Sequence, residues 1–149
     1  MAGRVLVVDD EEGIRVLCRV NLELGGYEVV EAEDGIQALE QARATRPDLI
    51  FLDLAMPRMD GWEVLQGLKE DPATASIPVV LLTAKTSEED QMKGWSEGIL
   101  EYLPKPFNPQ LLVEWAGRAL IPRDPGEEDA RRRRILEQLR LVRQLRREQ

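Results

Sequence analysis

Three aspartates whose side chains could bind a metal ion follow two apolar segments of the sequence. Asp9 and Asp10 come directly after segment 5–8, and Asp53 comes directly after segment 49–52. Carboxylates that meet at one point repel each other, so a cation would have to share such a site. Because these ligands are all oxygens, Mg²⁺ is the favoured ion, with Mn²⁺ as the alternative and zinc disfavoured.

The same residues would suit chemistry on a phosphoryl group. Asp53 is the candidate nucleophile, because an ionised carboxylate attacks phosphorus without a separate general base and gives an aspartyl phosphate. Lys105 could place a positive charge near the phosphoryl oxygens, and Thr83 could donate a hydrogen bond to them. One or two carboxylates, a backbone carbonyl from the loop after Asp53 and a phosphate oxygen would complete the shell of Mg²⁺.

Short strands must position these side chains. Uninterrupted apolar runs at 5–8, 49–52 and 79–82 predict strands of a parallel sheet that is covered on both faces. Weaker strand signals lie at 27–30 and around 102–103.

Amphipathic helices alternate with these strands, as in the apolar spacing of Gly61, Val64, Leu65 and Leu68. Five strand and helix units predict a doubly wound, flavodoxin-like α/β fold with strand order 2-1-3-4-5, five helices and one extra C-terminal helix. Ligands of such folds bind beyond the carboxyl ends of the strands, where the winding reverses. The first and third strands would therefore bring the aspartates together.

Each candidate residue also has a simpler interpretation. Asp9 and Asp10 could be helix caps, Asp53 a turn residue, Thr83 a strand residue and Lys105 a solvated charge. Taken together, these interpretations explain the pattern poorly, because the residues stand at the ends of four of the five predicted strands.

Four segments of the sequence resemble the signature segments of the bacterial response-regulator receiver domain, including its chemotaxis-type single receivers. The segments are VLVVDDE, DLIFLDLAMPRMDG, PVVLLTAK and EYLPKPF, in that order. Four motifs in sequence are far more specific than any single short pattern. The resemblance covers residues 1–121, which we predict to be the receiver domain, followed by a linker at 122–126 and a basic helical tail at 127–149.

The resemblance implies a metal site and a phosphoacceptor. Asp10, Asp53 and the backbone carbonyl of Ala55 would hold Mg²⁺, Asp9 would act mainly through water, and Asp53 would accept the phosphoryl group. Ala55 and Lys85 occupy variable positions that would tune the lifetime of the phosphorylated form.

The resemblance also implies a switch. Thr83 and Tyr102 would form the switch pair, in which the hydroxyl moves toward the phosphate and the aromatic ring turns inward. Lys105 would contact the phosphate, and its bond to Pro106 would be cis.

Composition excludes several classes of function. The chain has no histidine, so it cannot use a Ser/His/Asp triad or a histidine-containing zinc site. It has one cysteine, which cannot form an intramolecular disulfide, and no signal-peptide pattern at the N-terminus. No apolar run is long enough to cross a bilayer. We therefore expect a cytoplasmic protein without a membrane span.

The tail differs in charge from the rest of the chain. Residues 131–149 hold eight arginines and two glutamates, a net charge of +6, which leaves −14 on residues 1–130. The acidic body should bind nucleic acid poorly, and the tail is too short for a DNA-binding or catalytic output domain. A stripe of Ile135, Leu139, Val142 and Leu145 favours pairing with a partner or a second copy over a frayed helix, and membrane-surface attachment is a weaker alternative.

Two functions compete at this point. The first is a phosphoacceptor switch that receives its phosphoryl group from a histidine kinase or phosphotransfer protein. Its output would be partner binding or a homodimer through the tail or through the face of the fourth helix, fifth strand and fifth helix. The second is a receiver-like interaction module that never uses phosphate. We expect no enzyme beyond self-phosphorylation and self-dephosphorylation, because an aspartate-nucleophile phosphatase would need an acid where Ala55 stands.

Overall fold

The structure, a computed structural model, describes residues 3–122 and 124–148. Strands and helices alternate strictly along the chain until the last two elements, which are both helices. The strands are β1 (Arg4–Val8), β2 (Glu28–Ala32), β3 (Leu49–Leu52), β4 (Val79–Thr83) and β5 (Glu101–Pro104). The helices are α1 (Glu12–Leu24), α2 (Gly35–Thr45), α3 (Gly61–Glu70), α4 (Glu88–Ser96), α5 (Gln110–Leu120) and α6 (Pro125–Arg147).

The five strands form one parallel sheet in the order β2-β1-β3-β4-β5, which confirms the predicted flavodoxin-like topology. The winding reverses at β1, which pairs with β2 on one side and β3 on the other. The carboxyl ends of β1 and β3 therefore lie side by side, as the fold requires for a ligand site.

The sheet is buried on both faces, which explains the uninterrupted apolar runs. Side chains of β1 alternate between the two layers: Leu6 and Val8 join one apolar cluster, and Val5 and Val7 join the other. Helices α2, α3 and α4 contribute to the first cluster, and α1 and α5 contribute to the second.

Polar side chains cap the starts of α2 and α4. The side chain of Asp34 accepts a hydrogen bond from the Gln37 amide at the start of α2. Ser87 accepts one from the Asp90 amide at the start of α4. Each side chain satisfies an amide that has no partner within its own helix.

The basic tail forms α6, which begins at Pro125, two residues before the predicted start. Asp124 caps it by accepting from the Gly126 amide, and proline is favourable in the first turn because it has no amide hydrogen to satisfy. The predicted boundaries at 1–121, 122–126 and 127–149 stay predictions. Of these segments, Met1, Ala2, Arg123 and Gln149 lie outside the described residues. Among the helices that the structure describes, none combines the length and the apolarity that a bilayer span requires.

Candidate functional site

The carboxyl ends of four strands meet at one edge of the sheet. Asp9 follows β1, Asp53 follows β3, Thr83 ends β4 and Lys105 follows β5. The backbone pairing extends to this edge, because the Asp53 amide donates to the Val8 carbonyl and the Lys105 amide donates to the Thr83 carbonyl. The sheet itself therefore fixes the backbone of the candidate residues.

Three of the predicted ligands converge here. One carboxylate oxygen each from Asp9, Asp10 and Asp53 lies within 4.8 Å of the others. Asp9 and Asp53 are buried, with 1% and 3% of their surface exposed, whereas Asp10 is exposed. A set of oxygens at this spacing, open to solvent on one side, fits a hard divalent cation that retains several waters, such as Mg²⁺.

The amine of Lys105 lies between the two buried carboxylates. Its Nζ donates to Oδ2 of Asp9 at 2.7 Å and to Oδ2 of Asp53 at 3.3 Å. Burial acts to lower the pKa of the Lys105 amine, but the hydrogen bond to Asp9 and the negative charges of Asp53 and Asp9 outweigh it, so the pKa is raised. Lys105 is therefore protonated at neutral pH and is a permanent counter-charge. Its bond to Pro106 is cis, as the resemblance implies.

Burial also dominates at Asp9. Burial is the largest influence and raises the pKa of the Asp9 carboxyl, the hydrogen bonds from Lys105 and from the Glu11 amide and the charge of Lys105 lower it, and the nearby charge of Asp53 raises it; the net result is a raised pKa. The negative charge of Asp9 is thus held in an environment that disfavours it. A bound cation would relieve that cost.

The loop after β3 holds the Asp53 carboxylate in position. The Ala55 amide donates to Oδ1 of Asp53 at 3.1 Å. A Cβ at Gly61 would lie 2.4 Å from the carbonyl oxygen of Asp53 and 2.6 Å from the Cα of Leu54, which leaves room for glycine alone. The start of α3 is thereby packed directly against the backbone of Asp53. The carbonyl of Ala55 stays a predicted metal ligand.

Two hydrogen bonds link β4 to β5 through Lys85. The Lys85 amide donates to Oγ1 of Thr83 at 3.1 Å, and the hydroxyl of Tyr102 donates to the Lys85 carbonyl. Thr83 is fully buried and Tyr102 is 7% exposed. Burial raises the pKa of the Tyr102 phenol, so the hydroxyl remains protonated and able to donate. No sequence pattern could indicate this link, because it uses the backbone of Lys85.

Comparison with known proteins decides the family. A family model described as the response regulator receiver domain matches residues 5–116. The chain belongs to the response-regulator receiver family. Its relatives include the DNA-binding dual master transcriptional regulator RpaA of a Synechocystis strain, which is 41% identical over 136 residues, or 91% of this chain and 56% of RpaA.

Two further matches agree. The phosphate regulon transcriptional regulatory protein PhoB of Pseudomonas aeruginosa is 40% identical over 131 residues, or 87% of this receiver and 57% of PhoB. The structure of the chemotaxis protein CheY4 of Vibrio cholerae matches with a TM-score of 0.75 and 37% identity, covering 80% of this chain and all of CheY4.

These matches establish the broad function. The chain is a receiver that acts in phosphorylation-based two-component signalling, a signalling protein of a family whose members interact with histidine kinases and use Mg²⁺. It spans about half the length of the curated relatives it matches. The output functions that the names of those longer proteins describe are therefore properties of those proteins.

Proposed function

We propose that this receiver accepts a phosphoryl group on Asp53 from a histidine kinase or a phosphotransfer protein, in a reaction that needs Mg²⁺, and then presents a changed surface to a partner. The observation that carries the proposal is the position of Asp53. Its buried carboxylate shares the amine of Lys105 with Asp9, at the point where three acids converge.

Asp53 supplies the nucleophile. One of its carboxylate oxygens attacks the phosphorus of a phosphohistidine or of acetyl phosphate, and the bond from phosphorus to the leaving nitrogen or oxygen breaks. The electron pair of that bond leaves with the imidazole, which takes up a proton, or with acetate. The hydrogen bond from the Ala55 amide orients the carboxylate for this attack.

The residues that would hold Mg²⁺ are Asp10, Asp53 and the carbonyl of Ala55, with Asp9 acting through water, and Mn²⁺ would suit the same oxygens. When bound, the ion supplies positive charge that offsets the negative charge of the transferring phosphoryl group. The proposal is supported by the spacing of the three carboxylates and by the exposure of Asp10, which leaves one side of the site open to water.

Lys105 and Thr83 would bind the phosphoryl oxygens. The protonated amine of Lys105 already contacts Asp53 and would place its charge on the new phosphate. The buried hydroxyl of Thr83 would donate to a second oxygen. Tyr102 would act as the second member of the switch pair, and its hydrogen bond to the Lys85 carbonyl supports that role.

Chemistry on this receiver would be limited to gain and loss of its own phosphoryl group. A phosphatase that turned over an external substrate would need a second acid two positions after Asp53, where the chain has Ala55. Ala55 and Lys85 would instead set how long the phosphoryl group survives.

The expected partners are a kinase or phosphotransfer protein upstream and a protein partner or a second copy downstream. A homodimer through the face of α4, β5 and α5 would require α6 to move, because α6 lies against α4 and its Arg131 contacts β5. The net charge of −14 on residues 1–130 argues against nucleic acid as a partner of the body. The expected compartment is the cytoplasm.

The test is the intact mass of the protein after incubation with acetyl phosphate and Mg²⁺, with EDTA as the metal control. We expect one added phosphoryl group on the wild type, and none on Asp53→Asn or in EDTA. Equal labelling of wild type and Asp53→Asn would refute the assignment of Asp53. Absence of labelling from a folded wild type would favour the phosphate-independent interaction module.

A further inference from the structure

Helix α6 packs along the body of the receiver. Its apolar residues Ile135, Leu136 and Leu139 are partly buried against the apolar cluster that contains Trp95 and Tyr102. In contrast, Leu141 on the same helix is 57% exposed. The tail therefore has a docked face and a solvent face.

Arg131 anchors the first half of α6. Its guanidinium donates to the Leu100 carbonyl at 3.0 Å and to the Glu101 carboxylate at 2.8 Å. The same group lies 5.3 Å from the ring centre of Trp95 on α4 and 5.8 Å from that of Trp115 on α5. One side chain thus ties α6 to three elements of the body.

The second half of α6 is paired with the start of α4. Arg146 lies 2.6 Å from the carboxylate of Glu88, and Arg143 lies 3.7 Å from that of Glu89. Since Arg131 contacts residues that follow α4 and the later arginines contact its first turn, α6 runs antiparallel to α4 along its full length. Opposite charges meet along this contact, with basic residues of the tail against acidic residues of the body.

Helix α4, which α6 covers, packs against the ring of Tyr102. A Cβ at Gly94 would lie 3.3 Å from Cδ2 of Tyr102, so the helix backbone and the ring are in close contact. The ring is buried and its hydroxyl is bonded to the Lys85 carbonyl. Because α6 packs on α4, it keeps α4 in contact with the ring of Tyr102. The ring is thereby held in this inward position.

The inward position of Tyr102 favours phosphate binding by Thr83. The Tyr102 hydroxyl fixes Lys85, whose amide in turn donates to Oγ1 of Thr83. An accepted hydrogen bond orients the Thr83 hydroxyl without using its own hydrogen, which can then be donated to a phosphate oxygen. A donor that is oriented before the phosphoryl group arrives costs no reorganisation.

We propose that α6 is an intramolecular regulatory helix. Its docking on α4 and β5 favours phosphorylation of Asp53, and phosphorylation in turn strengthens this docking. The inference rests on the proposed role of Asp53. By thermodynamic linkage, docking of α6 favours the phosphorylated state by the same free energy by which phosphorylation favours docking of α6. The surface of the phosphorylated receiver would accordingly include α6.

The first experiment measures the initial rate of labelling by acetyl phosphate and Mg²⁺, read as intact mass. Leu139→Glu and Arg131→Ala, which undock α6, should slow labelling about fivefold or more, because the Thr83 donor is then no longer oriented in advance. The matched controls are Leu141→Glu and Arg133→Ala, which make the same changes at exposed positions of α6 and should label at the wild-type rate. Circular dichroism confirms that each variant is folded, and should Leu139→Glu fail to fold, the Arg131 and Arg133 pair carries the test.

The second experiment measures deuterium uptake of peptides from α6 with and without beryllium fluoride and Mg²⁺, which mimic the phosphoryl group. We expect slower uptake in α6 when the mimic is bound, and no such change in Thr83→Ala. Equal labelling rates in all variants, with unchanged uptake in α6, would overturn the coupling while leaving the role of Asp53 intact. No labelling of the wild type would refute the role of Asp53, and the coupling with it.

Discussion

Nζ of Lys105 lies 2.7 Å from Oδ2 of Asp9, although the two residues are 96 positions apart in the sequence. They follow β5 and β1, and β3 and β4 lie between these strands in the sheet. The side chain of Lys105 therefore reaches across the ends of two strands and passes Asp53 on the way. One positive charge joins the edge strand of the sheet to the acidic cluster.

Lys105→Ala should destabilise the protein in the absence of metal, because it leaves the buried carboxylates of Asp9 and Asp53 without their counter-charge. We expect the free energy of unfolding in EDTA to fall by about 3 kcal/mol. Urea denaturation measures the change, and Mg²⁺ should recover part of it. Lys69→Ala, at an exposed position, removes the same charge and serves as the control. Equal effects of the two substitutions would contradict the electrostatic role of Lys105.

Gly61→Ala should disturb the backbone of Asp53. The new Cβ would meet the Asp53 carbonyl and the Leu54 Cα, and neither backbone atom can move without shifting the loop. We expect a loss of about 2 kcal/mol in the free energy of unfolding, together with slower labelling by acetyl phosphate. Gly13→Ala is the control, since a Cβ there meets nothing within 4 Å. A Gly61 variant as stable and as readily labelled as the Gly13 variant would contradict the close approach.

Asp10→Asn should weaken metal binding without much effect on the fold, because Asp10 is exposed and its carboxylate is one of the three that converge. A titration of thermal stability with Mg²⁺ should show a rise for the wild type and a smaller rise for the variant, since an ion that binds only the folded state stabilises it. Glu12→Gln removes an exposed charge nearby and should respond as the wild type does. The same Mg²⁺ response in all three proteins would place the ion elsewhere.

Cys18 should be inert in the folded protein. Burial raises the pKa of its thiol to about 12, and the thiolate is the reactive form. A raised thiol pKa means that the neutral form dominates at pH 8, and that reactivity rises about tenfold with each pH unit toward that pKa. Intact mass after iodoacetamide treatment at pH 8 should show no adduct without urea and one adduct with it. Rapid modification of the folded protein would contradict the packing around Cys18.

Strand order and the acidic cluster could be predicted from the sequence because both depend on local patterns. The apolar runs fix the strands, the alternation with helices fixes the winding, and the residues directly after the strands then fall at one edge. The docking of α6 could not be predicted in this way. The apolar spacing showed an amphipathic tail, but its partners depend on tertiary contacts of Arg131 with residues about thirty positions away. Of the predicted stripe, Ile135 and Leu139 pack against the body, while Val142 and Leu145 are exposed.

Asp53 should carry the phosphoryl group, and trapping the acyl phosphate tests this assignment most directly. Borohydride reduces an aspartyl phosphate to homoserine, so peptide mass spectrometry of protein treated with acetyl phosphate, Mg²⁺ and borohydride locates the modified residue. We expect homoserine at position 53 and unchanged aspartate at Asp9, Asp10 and Asp60. Homoserine at any of those three positions, with aspartate retained at position 53, would contradict the account.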